Sequence, residues 1–533
     1  MKILTAAEMG AADRRTIENF SVPMATLMEN AGTAVARFIA RQYPDAKRML
    51  VLCGKGNNGG DGLVAARVLA VAGREVTVGL LGLTGELKGQ PGEMLAELKA
   101  DAPQAKILTV TGEGGFDALL DADLIVDAVV GTGFQPPLRG LAARLREWLA
   151  GIVVPVVAVD LPSGWDADSL EQSPASPEQA AFRSDAVVTF TAPKRAQIFG
   201  HLTPGRTFGP VVVAAIGSPD DAIVSAENLH WTGAAKAIAE GPRNVNANKG
   251  KFGHVLLIGG SYGTAGAPSM SSLAALRTGA GLVTAAVPES ILNLVAQIAP
   301  ELMLAPLTQS AEGAVDLRNL EPGRLAALMK RISVVALGPG LSTKGEASEF
   351  ARRLVAQTKV PMVIDADALN AFAGRNELLN GDGRVMVLTP HPGEMATLTG
   401  LTVKEVEADR IGLARRFATE HKLTLVLKGW RTLVAHPDGS IGVNTTGNPS
   451  MAKGGSGDIL TGIVAGMLAQ FPNDVARAVE AAVYLHGLAG DFAAHAMDEH
   501  TVLATDTVAH LSDAFRYRTR DADGFDWIVG VHA

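Results

Sequence analysis

The chain reads as an α/β protein of two doubly wound domains, and three observations carry that reading. At 533 residues it exceeds what one ordinary core accommodates. Short, continuously apolar Val/Ile/Leu runs alternate with helical patterns in both halves, as in parallel sheets covered on both faces. Nearly every Gly-rich or polar cluster follows such a run, where ligands sit in open parallel sheets.

The first half opens with helical patterns over 6–17 and 23–41. Strands are expected at 48–53, 75–81, 124–130, 153–159, 186–191 and 211–216, with helices such as 63–72 between them. The texture changes after Gly217. Residues 218–248 are polar, carry Pro219, Pro242 and several Asn, and offer no strong strand, which marks a linker over 220–245 between domains spanning 1–219 and 246–520. A second series then places strands at 254–258, 282–287, 333–337, 361–364, 384–388, 424–427 and 433–435.

Hydrophobic residues make up 47% and aromatic residues only 5%, with a net charge of −8 in which no long stretch is dominated by Lys or Arg. That balance argues against nucleic acid or an anionic membrane as partner, so anionic ligands must be held by local amides and helix dipoles. The single cysteine, Cys53, forbids an internal disulfide and fits a reducing compartment; as a strand residue it is packing. The N-terminal apolar run is too short for a signal peptide, and the most apolar stretch, 151–161, is broken by Pro155, so a cytoplasmic protein is expected.

The most informative string is GGSGD (454–458), which opens an apolar helical stretch over 459–469. Amides of Gly455, Ser456 and Gly457 can converge on a phosphate at the positive end of a helix. A carboxylate in that place is unwelcome unless it takes a proton from an attacking hydroxyl, which makes Asp458 a general base for phosphoryl transfer. Alone, the pentapeptide is equally an N-capping Asp in a Gly-rich turn. The string NTTGNPSMAKGGSGD (444–458) extends the phosphate reading.

In the first half, GKGNNGGDG (54–62) can wrap a diphosphate with its amides, yet it matches neither the dinucleotide fingerprint nor the P-loop. VDAVVGTG (126–133) and VVAVDLPSG (156–164) end neighbouring strands, and Asp160 is a site carboxylate with nothing nearby in sequence to neutralise it. Oxygens of Asn58, Asp127 and Ser163 can gather around a monovalent cation, a grouping that spacing alone does not reveal. In the second half, HVLLIGGS, GTAGAP, LGPG and IDADALN follow strands; Asp365 or Asp367 is read first as a cap of the helix from Ala368. TPHPGE fixes His391 between two prolines, and KGWRT supplies a cation and donors for a nucleotide, or an exposed hairpin lysine. His486 and Asp491 are equally polar packing groups.

In order over most of the chain, these strings resemble the bifunctional NAD(P)H-hydrate repair enzymes, an epimerase domain fused to an ADP- or ATP-dependent dehydratase domain. LMENAG, GNNGGDG, DAVVGTG, DLPSGWDAD and TAPK carry the first part, over about 5–217. KGKFGHVLLIGGS, LRTGAGL, GPG, DADALN, TPHPGE, LKGWRT and GNPSMAKGGSGD carry the second, over about 246–514. The resemblance implies a Rossmann-like three-layer sandwich followed by a ribokinase-like domain.

It further implies substrates NADHX and NADPHX, hydrated at C6 of the reduced nicotinamide ring. The first domain would interconvert the R and S epimers, with Asn57, Asn58, Gly59, Gly60 and Asp61 on one side of the cofactor. Gly131, Thr132, Gly133, Phe134, Gln135, Pro136 and Pro137 would lie on the other, and Asp160 would move protons. Asn58, Asp127 and Ser163 would hold K⁺. Some relatives carry a lysine in the loop after the third motif; here Gln135 stands about there, leaving Asp160 alone or with water. In the second domain Ala267, Gly340, His391 and Asp458 would line the hydrate. Lys428, Gly429, Trp430, Arg431 and Thr432 would bind ADP or ATP together with Gly455, Ser456 and Gly457, with Mg²⁺ on its phosphates near Glu394. ADP is favoured by resemblance, and a homo-oligomer is expected. The rival readings are a vitamin-precursor kinase of the ribokinase-like fold and an N-terminal half that is a non-catalytic nucleotide-binding module.

Overall fold

A computed structural model describes residues 1–119, 121–173, 180–201 and 210–532. It divides into two compact units, residues 1–227 with 518–533, and residues 228–517.

In the first unit the expected apolar runs form strands β1 (Arg48–Cys53), β2 (Glu75–Leu81), β3 (Lys106–Val110), β4 (Leu124–Ala128), β5 (Val156–Val159), β6 (Ala186–Phe190) and β7 (Val211–Ala214). They pair in parallel in the order β7-β6-β5-β4-β1-β2-β3. Only β3 escaped the sequence reading, because it is an edge strand whose residues stay largely exposed until Val110. The chain runs outward from β1 to β3 and then returns to β4 on the opposite side of β1, so the carboxyl ends of β1 and β4 flank the topological switch point, where a crevice opens. The helices Met24–Gln42 and Asn57–Val71 bury their apolar faces on one side of this sheet.

The second unit contains β8 (Leu229–Trp231), β9 (His254–Ile258), β10 (Leu282–Pro288), β11 (Met303–Leu307), β12 (Val334–Leu337), β13 (Met362–Ile364), β14 (Met386–Leu388), β15 (Thr424–Leu427), β16 (Leu433–Ala435) and β17 (Ile441–Val443). Their order is β11-β10-β9-β12-β13-β14-β15-β16-β17-β8. Pairing is parallel as far as β15, antiparallel through β16 and β17, and parallel again at β8. Here the switch point lies between β9 and β12, whose following turns are the GGS and GPG strings. The stretch expected to be a linker therefore supplies an edge strand, β8, too short to register as one in the sequence. The last strand, β18 (Phe525–Val529), lies beyond the expected domain end and pairs antiparallel with β7 of the first sheet.

The helices Gly266–Thr278 and Ser456–Gln470 start at the two Gly-rich passages and pack closely together. A Cβ at Gly462 would stand 2.1 Å from the Ser271 carbonyl oxygen, and one at Gly466 3.0 Å from Thr278 Cβ. Glycine at both places lets the backbones approach despite a helix-propensity cost of about 1 kcal/mol each, and the approach draws the two helix starts together. Among the described residues no helix is long and apolar enough to cross a membrane.

Candidate active sites

At the first switch point a cavity of about 550 Å³ is lined by Asn57, Asn58 and Asp61 from the first motif and by Gly131, Thr132, Gly133 and Phe134 after β4. Asp160 and Lys194 complete its polar wall, with Asp13 on the opposing helix Ala6–Phe20. The GNNGGDG string is the first turn of the helix Asn57–Val71 rather than a free loop; its N-cap, Gly56, makes no side-chain cap. The amides of the first turn are thus left for a ligand. Gln135 is exposed, and neither it nor Pro136 and Pro137 line the cavity.

Asp160 does not stand alone. It follows β5 in a left-handed conformation (φ 65°), strain of the kind that persists at functional sites. Lys194 Nζ donates to its Oδ1 at 2.7 Å, and Thr189 Oγ1 donates to the same oxygen at 3.0 Å. The Thr132 amide (3.0 Å) and hydroxyl both donate to Oδ2. Burial pushes the Asp160 carboxyl upward, but Lys194 and the Thr132 donors outweigh it and hold the group below the usual carboxylate range. Lys194 is only 2% exposed and also donates to Thr189 Oγ1 at 2.8 Å. Lys194, in the TAPK string, has no role assigned from sequence; the signal for it is its place just beyond the carboxyl end of β6. Asp61 is pushed well up by burial and then by the carboxylates of Asp160 and Asp13. Asp13 is raised by burial against the pull of Lys194.

Beside this pair, a Cβ on Gly131 would lie 3.0 Å from Asn58 Oδ1 and 3.1 Å from Asp160 Oδ2, so glycine leaves the space between them open. Among the described residues, both polar atoms of the buried Asn58 carboxamide lack a hydrogen-bond partner. Asp127, fully buried near the end of β4, accepts from the Ser163 amide at 2.7 Å and hydroxyl at 2.6 Å. Among the described residues no lysine or arginine pairs with it, and burial raises it to about 6. Ser163 Oγ also contacts the Val130 carbonyl at 3.1 Å. The carboxylate of Asp127, the hydroxyl of Ser163 and the carbonyl of Val130 are gathered oxygens of the kind a weakly hydrated monovalent cation takes, and the Asn58 carboxamide lies apart from them beside Gly131 and Asp160.

In the second unit Asp458 occupies the third position of the helix Ser456–Gln470, behind an N-cap Gly455 in the left-handed region (φ 98°) that makes no side-chain cap. Asp458 is no cap either. Burial first, then the nearby Asp365 carboxylate, raise it to about 6 against the pull of Lys428. That lysine is committed elsewhere: its Nζ lies 3.0 Å from Asp365 Oδ1 and 3.6 Å from Glu394 Oε2. Asp365 Oδ2 accepts from Thr461 Oγ1 at 2.6 Å, on the same helix as Asp458. A Cβ on Gly457 would stand 3.3 Å from Lys428 Nζ, which brings the glycine turn and the KGWRT string together.

Asp365 and Asp367 depart from the capping role expected of them. The N-cap of the helix Asp367–Asn370 is Ala366, which makes no side-chain cap. Asp365 turns inward to Lys428, and Asp367 accepts the Ser342 amide at 2.9 Å. His391 caps the helix Pro392–Thr399, its Nδ1 accepting from the amides of Gly393 (3.0 Å) and Glu394 (3.2 Å). With Nδ1 so used, the ring keeps its proton on Nε2, and more than half of the side chain is exposed. Gly340 (φ 64°) would carry a Cβ 3.1 Å from that of Ala267, so these two residues face each other across the second switch point.

The loop after β15 is held from behind by Arg410, which the sequence reading missed. Its guanidinium donates to the carbonyls of Leu427 and Lys428 at 3.3 Å each and to that of Trp430. Trp430 is 40% exposed with the Arg431 guanidinium 4.3 Å over its ring, while Arg431 itself is buried, donates to the Thr445 carbonyl and is lowered to about 10 by burial. Thr432 Oγ1 closes the turn on the Gly429 carbonyl. Asp491 positions the approach to the glycine turn, accepting from the Gly447 amide (3.0 Å) and Asn448 Nδ2 (2.9 Å). His486 is buried, and burial depresses it to about 4.

Comparison with known proteins finds matches in both halves of the chain. Residues 255–514 match the family model described as NAD(P)H-hydrate dehydratase, and residues 24–196 the one described as YjeF-related protein N-terminus. The bifunctional NAD(P)H-hydrate repair enzyme Nnr of Moorella thermoacetica is 40% identical over 527 residues, covering 97% of each chain. Its Escherichia coli K12 counterpart is 35% identical over 520 residues, covering 95% of this chain and 92% of that one. Among solved structures, the ADP/ATP-dependent NAD(P)H-hydrate dehydratase of Bacillus subtilis co-crystallised with ATP and Mg²⁺ is 30% identical, with a TM-score of 0.47, over 55% of this chain and 99% of that one. Identity at this level, sustained across both units, places the chain in the family of bifunctional NAD(P)H-hydrate repair enzymes.

Proposed function

We propose that the first unit epimerises the R and S forms of hydrated NADH and NADPH at the Asp160–Lys194 pair, and that the second dehydrates the S form at Asp458 with consumption of ADP or ATP. The observation that carries the second assignment is a half-buried carboxylate, raised to about 6, at the start of a glycine-opened helix whose first-turn amides suit a phosphate, the Ser456 amide resting 3.4 Å from the Lys453 carbonyl. Asp458 takes the proton of the C6 hydroxyl as its oxygen attacks the terminal phosphoryl group. The amides of Gly455, Ser456 and Gly457 hold the transferring charge. Esterification turns hydroxide into phosphate as leaving group; the ring nitrogen expels it, and loss of a C5 proton restores the reduced ring. Ala267, Gly340 and His391 face the hydrate, and residues 428–432 the nucleotide.

Three carboxylates, Asp365, Glu394 and Asp458, gather around the single ammonium of Lys428, and this excess negative charge suits a divalent cation on the nucleotide phosphates. Glu394 is the side chain we assign to Mg²⁺, which neutralises phosphate charge when bound. In the first unit the reading rests on a proton acceptor and a proton donor 2.7 Å apart beside an open space at Gly131, with K⁺ assigned to Asn58, Asp127 and Ser163.

The test is to incubate mixed hydrate epimers with ADP or ATP and Mg²⁺. Reduced cofactor, free phosphate and the nucleotide one phosphate shorter should appear in equal amounts. A stable phosphorylated small molecule in their place would favour the kinase. ADP is the preferred donor on this reading, and parallel assays with each nucleotide decide it.

A further inference from the structure

We propose that His230, His436 and Glu480 form a binding site for one divalent cation of the zinc class, tying the edge strand β8 to the helix Val475–Ala496. None of the three belongs to the sites above, and the proposal does not rest on the reactions assigned there. Both histidines present Nε2 to the same carboxylate oxygen, Glu480 Oε1, at 2.6 Å from His230 and 2.8 Å from His436. The rings lie nearly parallel, 14° apart with centroids 6.5 Å from one another, so their donor edges face the same way. The three ligand atoms all fall within 4.8 Å of one another.

Two imidazole nitrogens and one carboxylate oxygen are the protein ligands of open tetrahedral zinc sites. Metal–ligand bonds of about 2.0–2.2 Å put tetrahedral donors roughly 3.4 Å apart. The His230–Glu480 separation must therefore widen by roughly 0.8 Å and the His436–Glu480 separation by roughly 0.6 Å, which side-chain rotation supplies. A Cβ on Gly442, in β17, would stand 3.0 Å from Glu480 Oε1 and 2.8 Å from Thr232 Cγ2, so glycine is what lets the strand pass this close over the carboxylate. His436 and Glu480 are buried at 4% and 6% exposure, while His230 is 26% exposed and opens a route to solvent for the metal and for a fourth, water ligand. Among the described residues no lysine or arginine pairs with Glu480; the imidazoles are its only polar partners there.

The ligands come from three places far apart in sequence: β8, the turn after β16 and the long helix. That helix also carries Asp491, eleven residues or about 16 Å further along, which holds the 447–448 segment before the glycine turn. A cation here would fasten an otherwise marginal three-residue edge strand to it.

The untagged full-length chain, stripped by chelator, should be titrated with Co²⁺ and then Zn²⁺. One equivalent of Co²⁺ should give the intense visible bands of a four-coordinate nitrogen and oxygen site, which an oxygen-lined Mg²⁺ or K⁺ site does not produce. Zn²⁺ should displace it one for one and raise the Tm. His230→Gln, at the half-exposed ligand, should keep the metal-free Tm within a few degrees and weaken binding at least about a hundredfold, more than loss of an outer partner does. His436→Gln with Glu480→Gln should abolish the bands. Absence of the bands at one equivalent and micromolar protein, or bands undiminished in His230→Gln, would overturn the site.

Discussion

Replacing Lys428 by methionine should move the pH dependence of dehydration upward, and replacing Asp365 by asparagine should move it downward, although the two residues are partners in one ion pair. A general base works as its conjugate anion. Asp458 is raised to about 6, so kcat/KM should be flat above that pH and fall tenfold per unit below it. Asp365 is the charge that raises it most and Lys428 the charge that lowers it. The position of a Gly457 Cβ, 3.3 Å from Lys428 Nζ and 3.9 Å from Asp365 Oδ2, shows that both charges lie within one residue of the base. A unit charge at roughly 7 Å in a medium of effective dielectric about 20 is worth about 2 kcal/mol, or between about 1 and 2 pH units. The acid limb should therefore shift toward 7 or above in Lys428→Met and toward 5 or below in Asp365→Asn. The assay is kcat/KM from pH 4.5 to 8.5, which reports the free enzyme, on variants shown by circular dichroism to be folded. Absolute rates should fall in both because Lys428 is also assigned to the nucleotide, but the position of the limb is independent of that loss. Shifts of the same sign, or no limb near 6 in the native protein, would refute Asp458 as the base.

Asp458→Asn should lower dehydration by about two to four orders of magnitude with nucleotide affinity kept, the usual range for a positioned proton acceptor. The same variant should be more stable than the native chain at pH 7.5, by about 1–2 kcal/mol after discounting for solvent. A carboxyl raised to about 6 in the fold but near 3.9 unfolded is a penalty fully present above 6 and gone below the unfolded value, so the gain should vanish toward pH 4 in urea melts. Lys194→Met should abolish epimerisation and leave dehydration of the S epimer intact, giving a fast phase followed by a stall in progress curves on mixed epimers. It should also destabilise the first unit by about 3–5 kcal/mol, because Asp160 is left buried beside Asp61 and Asp13 without its cation; a single fast phase in this variant would clear Lys194 of any part in the proton transfer. Exchange of K⁺ for Li⁺ should lower epimerisation alone, and Asn58→Leu should remove that dependence.

What the sequence could reveal was whatever is local. Central strands are buried on both faces and print continuous apolar runs; β3, β8 and β11 lie at sheet edges, half-exposed or very short, and print almost nothing, while β18 is an edge strand that is largely buried but lies beyond the expected domain end. Helix starts at glycine clusters are legible, though the helix expected from 63 begins at Asn57, because glycine and asparagine disguise a first helical turn. Partnerships across the sheet were not legible. Asp160 and Lys194 are 34 residues apart, and Lys428 and Asp365 are 63 apart. Parallel pairing of β5 with β6, and of β13 with β14 and then β15, brings those strand ends to one edge, and that is a property of topology rather than of spacing. Arg410 was hidden for the same reason: it binds carbonyl oxygens, which any sequence possesses.

The two sites solve related electrostatic problems in opposite ways. Each surrounds one largely buried lysine with three carboxylates, Asp13, Asp61 and Asp160 in the first unit and Asp365, Glu394 and Asp458 in the second. In the first, the lysine bonds directly to Asp160, the carboxylate we assign to proton transfer, and the Thr132 donors add to it, so Asp160 stays ionised and the pair holds an acceptor and a donor in contact. Epimerisation, which must return every proton it takes, suits such a matched pair. In the second, the lysine is drawn off to Asp365, leaving Asp458 without a bonded cation and raised toward neutrality. A base that must accept a proton as a phosphoryl group is captured works best in that state, since its affinity for the proton approaches that of its surroundings at working pH. The difference comes down to which carboxylate the strand ends place within 3 Å of the ammonium, so moving that contact, as Asp365→Asn does by freeing Lys428, should make Asp458 a weaker base and shift the second site toward the electrostatics of the first.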